Sequence, residues 1–188
     1  MWNLKNISMI NIELITNSPS NSLLQNFISQ EIITERFAIV KGPKDKWRLV
    51  DRTKSFGNIY SEDNRDFIVK YAKRLLGKNF NSILISGLGL GVIPYACQIT
   101  TAIIDVIEID KDIIDITKSI GHIHDNTNII HGDIHNFIPQ NKYDIILFDH
   151  WLTHANDSEI DLLTQKFQIY LNDGGFLYFP VKEQFKNG

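Results

Sequence analysis

The sequence is short of several features that would place it in other classes of protein. It has 188 residues and a single cysteine, Cys97, which excludes an internal disulfide and fits a reducing compartment. No apolar run approaches the length of a membrane span, and the first residues lack the layout of a signal peptide. The net charge is −3 and the basic residues are scattered. We therefore expect a cytoplasmic protein that binds neither membrane nor nucleic acid.

The apolar content is ample for a packed core. Hydrophobic residues make up 43% of the chain, and the length fits one domain with a small appendage. Residues 1–60 are predicted to form a small β-rich lobe. It includes a hairpin of 36–40 and 47–50 and a third short strand at 56–60. A lobe in this position could also cover a substrate.

Helices and apolar strands alternate in the remainder of the chain, 61–188. The first helix is predicted to open at Ser61 and to close at Gly77. Strands are predicted at 82–86, 102–108, 128–133, 143–149 and, after a turn at Asp173, 176–179. This rhythm predicts an α/β fold with a doubly wound parallel sheet, a Rossmann-like cofactor-binding domain.

A glycine-rich loop follows the first of these strands. Gly87, Gly89 and Gly91 alternate strictly, and Glu108 ends the next strand, 21 residues after Gly87. Glycines let the backbone turn sharply and approach a ligand, and a carboxylate at that point can accept both hydrogen bonds of a ribose diol. The G-x-G-x-G spacing differs from the G-x-G-x-x-G that accommodates a pyrophosphate. It favours S-adenosylmethionine-type cofactors, against the alternative of a glycine-rich turn in an unrelated α/β domain.

Three acids end three of the predicted strands. Glu108, Asp133 and Asp149 each lie at a carboxyl end, where ligands of open parallel sheets bind. Each acid alone is also explained as a helix N-cap. Their common register favours one binding site.

These segments together resemble the class I S-adenosylmethionine-dependent methyltransferase fold, and within it the spermidine synthase family. The resemblance covers roughly residues 45–180. It is carried by 50–60, 83–91, 106–111, 132–133 and 143–149.

The resemblance implies a role for each matching residue. Glu108 would bind the ribose hydroxyls, Asp133 would accept from the adenine amino group, and Asp149 would be the catalytic aspartate that helps to deprotonate the attacking amine. The cofactor-binding set carried over is Gly87, Gly89, Gly91, Glu108, Ile109, Asp133, Ile134 and Asp149.

The sequence departs from the aminopropyltransferase pattern where that family grips its diamine. Leu90 stands where the family has an acid in the glycine loop, and Leu152 replaces a second acid after Asp149. Val69-Lys70 replaces a Tyr-His pair. The chain also ends soon after the fifth predicted strand, where most class I enzymes add two more.

Histidines follow Asp149 closely. His150 is a candidate catalytic base, and Trp151 could pack on a flat or cationic substrate. The i,i+4 pairs His131/His135 and His150/His154 have a spacing that metal sites use on helices, but these pairs straddle strand ends, so we expect no metal.

The leading hypothesis is an S-adenosylmethionine-dependent transferase, a methyltransferase acting on a small-molecule acceptor. The second is a spermidine synthase-like aminopropyltransferase that uses decarboxylated S-adenosylmethionine in polyamine synthesis. The third is a non-catalytic nucleoside-binding or assembly protein. The open edge of the last strand makes a homodimer plausible.

Overall fold

A computed structural model of the chain describes residues 22–54, 58–63, 80–97, 103–150 and 156–180. They form a four-stranded antiparallel sheet followed by a five-stranded parallel sheet. Most of the helix predicted to close at Gly77 lies outside these residues. Within the described residues, no helix combines the length and apolar character needed to cross a membrane.

The antiparallel sheet confirms the predicted hairpin. Its strands, in spatial order, are β1 (Ile32–Ile33), β2 (Phe37–Lys41), β3 (Trp47–Asp51) and β4 (Asn58–Glu62). The prediction that a helix opens at Ser61 was wrong. Ser61 and Glu62 instead extend β4, because they pair with Leu49 and Arg48 of β3. Ion pairs from Arg48 and Lys46 to Glu62 reinforce that register.

The parallel sheet has the order β7-β6-β5-β8-β9, which is the predicted doubly wound arrangement. Its strands are β5 (Ser82–Ser86), β6 (Ile103–Glu108), β7 (Thr127–His131), β8 (Tyr143–Phe148) and β9 (Leu171–Tyr178). The described helices are α1 (Val92–Cys97), α2 (Lys111–Ser119) and α3 (Asp157–Phe167), the last continued by a 3₁₀ turn at Gln168–Tyr170. The central strands contain the continuous apolar runs 83–85 and 145–148, because both faces of the sheet are covered.

The last strand begins five residues earlier than predicted. Residues 173–175 do not form a turn before β9; they form an irregularity within it, since Tyr143 pairs with Leu171 while Ile145 pairs with Phe176. Gly174 adopts a left-handed φ of 77° there. Glycine therefore lets extra residues leave the ladder without ending the strand.

The antiparallel sheet packs on the helices that follow the glycine loop. One apolar cluster joins both parts of the fold: Leu24, Ile28, Phe37, Ile39, Trp47 and Leu49 meet Leu90, Val92, Ala96, Ile113, Ile116 and Ile120. Arg36 adds an ion pair to Asp110, the N-cap of α2, at 2.8 Å. The two sheets therefore share a core beside the candidate site.

The single cysteine is a structural thiol. Cys97 is buried in α1, and burial raises its pKa to about 12. A thiol in that state is not a nucleophile at neutral pH.

Candidate nucleoside site at the carboxyl edge of the sheet

The parallel register brings the ends of four strands to one edge. Ser86 is level with Ile107 of β6 and Phe148 of β8, and Glu108 is level with His131 of β7. Residues that follow these strands are therefore neighbours in space although they are far apart in sequence.

The glycine loop turns as its spacing predicts. Gly87, Gly89 and Gly91 have φ values of 100°, 51° and 69°, in the left-handed region that glycine adopts without strain. A Cβ on Gly87 would lie 3.1 Å from the backbone of Asp149 and His150. The loop after β5 thus packs directly against the loop after β8, which is the topological switch point of the sheet.

Glu108 is built into this loop. Its side chain is 7% exposed. One carboxylate oxygen accepts from the Leu88 N–H at 2.9 Å and the other from the Asp110 N–H at 3.0 Å. A carboxylate offers about four acceptor positions, so two remain for the hydroxyls of a diol. Glu108 shapes the loop as well as being able to bind a ligand, and the spacing alone did not indicate this second role.

Asp133 caps the turn after β7. Its Oδ1 accepts from the His135 N–H and its Oδ2 from the Asn136 side-chain amide, both at 2.9 Å, while its carbonyl accepts from the Phe137 N–H. These contacts are the ones expected of a capping residue, which is the alternative explanation that the sequence allows for each of the three acids. The half-buried carboxylate also stands at the predicted edge, with lone pairs beyond these two bonds.

The two isoleucines assigned to cofactor binding lie in different surroundings. Ile109 is 65% exposed, at the edge of the sheet. Ile134 is 5% exposed and packs in the core with Ile107, Phe148 and Leu163. Only Ile109 presents an apolar side chain outside the core.

Asp149 and His150 lie directly after β8, beside the glycine loop. The Asp149 N–H donates to the Ser86 carbonyl at 2.8 Å, and His150 Nδ1 is 2.6 Å from Ser86 Oγ. Burial lowers the pKa of His150 to about 4, and nearby His135 acts in the same direction while Asp133 opposes it. The imidazole is therefore neutral at pH 7, and Asp149 and His150 both stay candidates for the base.

The histidines that lie together in the structure are not the pairs that are four residues apart in the sequence. His135 approaches His150 and Glu159 rather than His131. His135 Nε2 and Glu159 Oε1 are 3.2 Å apart. Sequence reasoning missed Glu159, because no local spacing links a residue in α3 to one that follows β7.

Of the other positions singled out in the sequence, the structure describes Leu90. Trp151, Leu152 and His154, as well as Val69-Lys70, lie outside the described residues. Leu90, at the position where the aminopropyltransferases have an acid, is fully buried in the shared core.

Comparison with known proteins gives structural likeness without sequence likeness. No protein-family profile and no curated protein sequence matches the chain. The glycopeptide N-methyltransferase MtfA superposes with a TM-score of 0.51 at 13% identity, covering 60% of this chain and 50% of MtfA. DhpI in complex with SAH gives 0.50 at 19% identity, covering 60% of this chain and 56% of DhpI. MtfA complexed with S-adenosyl-L-methionine gives 0.50 at 13% identity, covering 59% and 51%.

This chain therefore spans about half the length of the structures it resembles. Likeness at such identities is informative about architecture alone. The strand order, the parallel register and these superpositions agree. The chain has the Rossmann-like fold of the class I S-adenosylmethionine-dependent methyltransferases.

Proposed function

We propose that this protein is a methyltransferase that takes S-adenosylmethionine as cofactor and a small molecule as methyl acceptor. The observation that carries the proposal is Glu108, a buried carboxylate locked to a left-handed glycine loop at the switch point of the sheet. MtfA and DhpI, which share the fold, are a glycopeptide N-methyltransferase and a protein solved with SAH.

The residues present fit such a cofactor. Glu108 keeps acceptor positions for a ribose diol, and Asp133 keeps lone pairs for an adenine amino group. The left-handed φ values of Gly87, Gly89 and Gly91 turn the loop tightly at this edge, and we assign the amino-acid tail of the cofactor to its backbone. We assign the contact with the flat face of the nucleoside to Ile109, which is exposed, and a supporting role in the core to Ile134, which is buried.

When bound, the cofactor supplies an electrophilic methyl group on a sulfonium. The task of this chain is to place an acceptor nucleophile in line and to take up its proton. We assign proton uptake to the carboxylate of Asp149, which is fixed at the edge through its backbone bond to Ser86. His150, held by Ser86 Oγ, positions this loop and is the second candidate for that proton.

Aminopropyl transfer is less well supported. The spermidine synthase-like resemblance remains a hypothesis from the sequence. The buried apolar surroundings of Leu90 leave no place for the acid that family uses at this position. A non-catalytic nucleoside-binding protein differs from both enzymes in showing binding without turnover.

Calorimetric titration separates methyl transfer from aminopropyl transfer, because the two reactions use different forms of the cofactor. The ligands are S-adenosylmethionine, S-adenosylhomocysteine, decarboxylated S-adenosylmethionine and methylthioadenosine. We expect preference for the two carboxylated ligands. Glu108→Gln should weaken their binding about 10–100-fold, the value of one or two charged hydrogen bonds. Glu35→Gln, at an exposed glutamate of the lobe, is the matched control and should change nothing.

The remaining outcomes are equally informative. Since Glu108 also holds the loop, circular dichroism and melting temperature must show that the variant is folded, and Asp133→Asn serves as a second variant. Preference for the decarboxylated ligand would replace the proposal with aminopropyl transfer. Binding of none of the four would contradict the cofactor assignment.

A further inference from the structure

Three side chains meet beside the candidate site, and two of them, His135 and Glu159, have no part in the proposed methyl transfer. His135 follows β7, His150 follows β8 and Glu159 lies in the first turn of α3. Ligand atoms of the three lie within 4.8 Å of one another. The two imidazole rings are nearly perpendicular, at 81°, with centroids 6.2 Å apart.

We propose that His135, His150 and Glu159 form a binding site for a divalent transition metal of the zinc class. This site goes beyond the proposed methyl transfer and does not depend on it. It also departs from the expectation of no metal, which considered only pairs of histidines four residues apart.

The donor set selects the class of ion. Two imidazole nitrogens and one carboxylate suit Zn²⁺, Co²⁺, Ni²⁺ or Fe²⁺, whereas Mg²⁺ and Ca²⁺ prefer oxygen ligands throughout. Three protein ligands of this kind characterise metal sites with an open position for water or a substrate oxygen. At the edge of the sheet, next to Asp149, such a position would be accessible to an acceptor molecule.

The distances are close to those of a formed site. Zinc bonds of about 2.0–2.1 Å place two tetrahedral ligands about 3.4 Å apart. His135 Nε2 and Glu159 Oε1 already lie 3.2 Å apart, so a metal would take the place of the proton between them. The largest separation must shorten by about 1.4 Å at most. The side chains of His135 and Glu159 are 46% and 27% exposed, so both can rotate toward the metal.

Neighbouring groups orient the ring of His150 and fix the backbone of His135. Ser86 Oγ, 2.6 Å from His150 Nδ1, directs the other ring nitrogen, Nε2, to act as ligand, as second-shell partners of metal-bound histidines do. His135 is tied at both sides of its backbone, since its N–H donates to Asp133 and its carbonyl accepts from Lys166. The neutral state that burial gives His150 is also the form that binds metals.

A simpler explanation covers part of this arrangement. An ion pair between His135 and Glu159 would tie the β7 loop to α3 without any metal. It gives no reason for a second imidazole, that of the half-buried His150, to converge on the same point. The two explanations make opposite predictions for metal binding.

The test is titration of the 188-residue chain, stripped with EDTA, with Zn²⁺ by calorimetry. We expect one zinc per chain. His135→Gln and Glu159→Gln should each weaken binding at least about 100-fold, the upper end of what loss of a second-shell partner costs. His131→Gln and Asp161→Asn are matched controls on the same segments, and both residues are exposed. Neither control should change the affinity.

Two further measurements test the geometry. Ser86→Ala should weaken zinc binding about 10–100-fold, because His150 loses its orienting partner. Ligand-field absorption of Co²⁺ should report nitrogen and oxygen coordination in the wild type and lose that signature in His135→Gln. Absence of stoichiometric zinc, or equal affinity in His135→Gln and His131→Gln, would overturn the proposal. Glu108→Gln should leave zinc affinity unchanged, so this test and the nucleoside test can fail separately.

Discussion

The hydrogen bond between Tyr143 and Asp105 gives a sharp test of how the parallel sheet is held together. The Tyr143 hydroxyl donates to Asp105 Oδ2 at 2.6 Å, and Asn128 donates to the other oxygen at 3.0 Å. Tyr143 and Asp105 are both buried. Burial and the bond to Asp105 raise the pKa of Tyr143 well above its usual range, so the hydroxyl keeps its proton throughout the neutral range.

The expected cost of Tyr143→Phe follows from these contacts. Phenylalanine keeps the ring in the core but leaves a buried carboxylate oxygen without its donor. A hydrogen bond to a charged group contributes about 1.5–3 kcal/mol, and an unsatisfied buried partner places the cost toward the upper end. We expect the free energy of unfolding to fall by about 2–3 kcal/mol. For a chain of this length that lowers the melting temperature by roughly 5–10 °C.

Equilibrium unfolding in urea, followed by circular dichroism, measures this change. The m-value should stay constant while the midpoint falls. Tyr170→Phe is the control, because that ring is only partly buried, against Phe167. A double-mutant cycle with Asp105→Ala should give a coupling of about 1–2 kcal/mol. Equal effects of Tyr143→Phe and Tyr170→Phe, or a coupling of zero, would refute this account of Asp105.

Two further predictions concern stability. His122 is fully buried beside the rings of Phe27 and Tyr95, and burial lowers its pKa to about 4. In the unfolded chain His122 takes up a proton near pH 6.5, whereas in the folded chain it does so only near pH 4. The free energy of unfolding should therefore fall by up to about 3 kcal/mol as the pH is lowered from 6.5 to 4. Urea titrations across this range should show a shallower loss in His122→Phe, and identical pH profiles would contradict the assignment. A Cβ on Gly175 would lie 2.9 Å from the Asp144 carbonyl. Gly175→Ala should therefore cost about 1–3 kcal/mol in thermal or urea unfolding, while Gly132→Ala, with open space around it, should stay within about 0.5 kcal/mol; similar losses in both would argue against the close approach.

The parallel sheet could be predicted because its signals are local. The runs at 83–85 and 145–148 are continuously apolar, which is typical of strands covered on both faces. The glycine loop and the acid of the next strand have fixed spacing in the sequence. Asp105 is a polar residue within the otherwise apolar β6, and its hydrogen bonds from Tyr143 and Asn128 account for it.

The two wrong predictions of secondary structure, at the end of β4 and at the start of β9, have long-range causes. Ser61 and Glu62 look like a helix start, but pairing with β3 holds them in a strand. The pair Gly174-Gly175 is typical of a turn, and only the ladder to β8 shows that the chain continues through it as β9. In both cases tertiary pairing overrides a local preference that is correct on average.

The residues of the candidate site also differ in whether local sequence spacing can identify them. Glu108 could be found from its distance to Gly87, because one βαβ unit fixes that spacing. His135, His150 and Glu159 come from three segments, and only the strand order brings them together. Ser86, the residue before the glycine loop, connects the nucleoside site with the three proposed metal ligands. Its hydroxyl bonds His150 and its carbonyl accepts from the Asp149 N–H. A methyl acceptor bound at this edge would thus meet both the proposed base and the proposed metal. Glu108 belongs to the proposed nucleoside site and Glu159 to the proposed metal site, which is why Glu108→Gln and Glu159→Gln should affect different ligands.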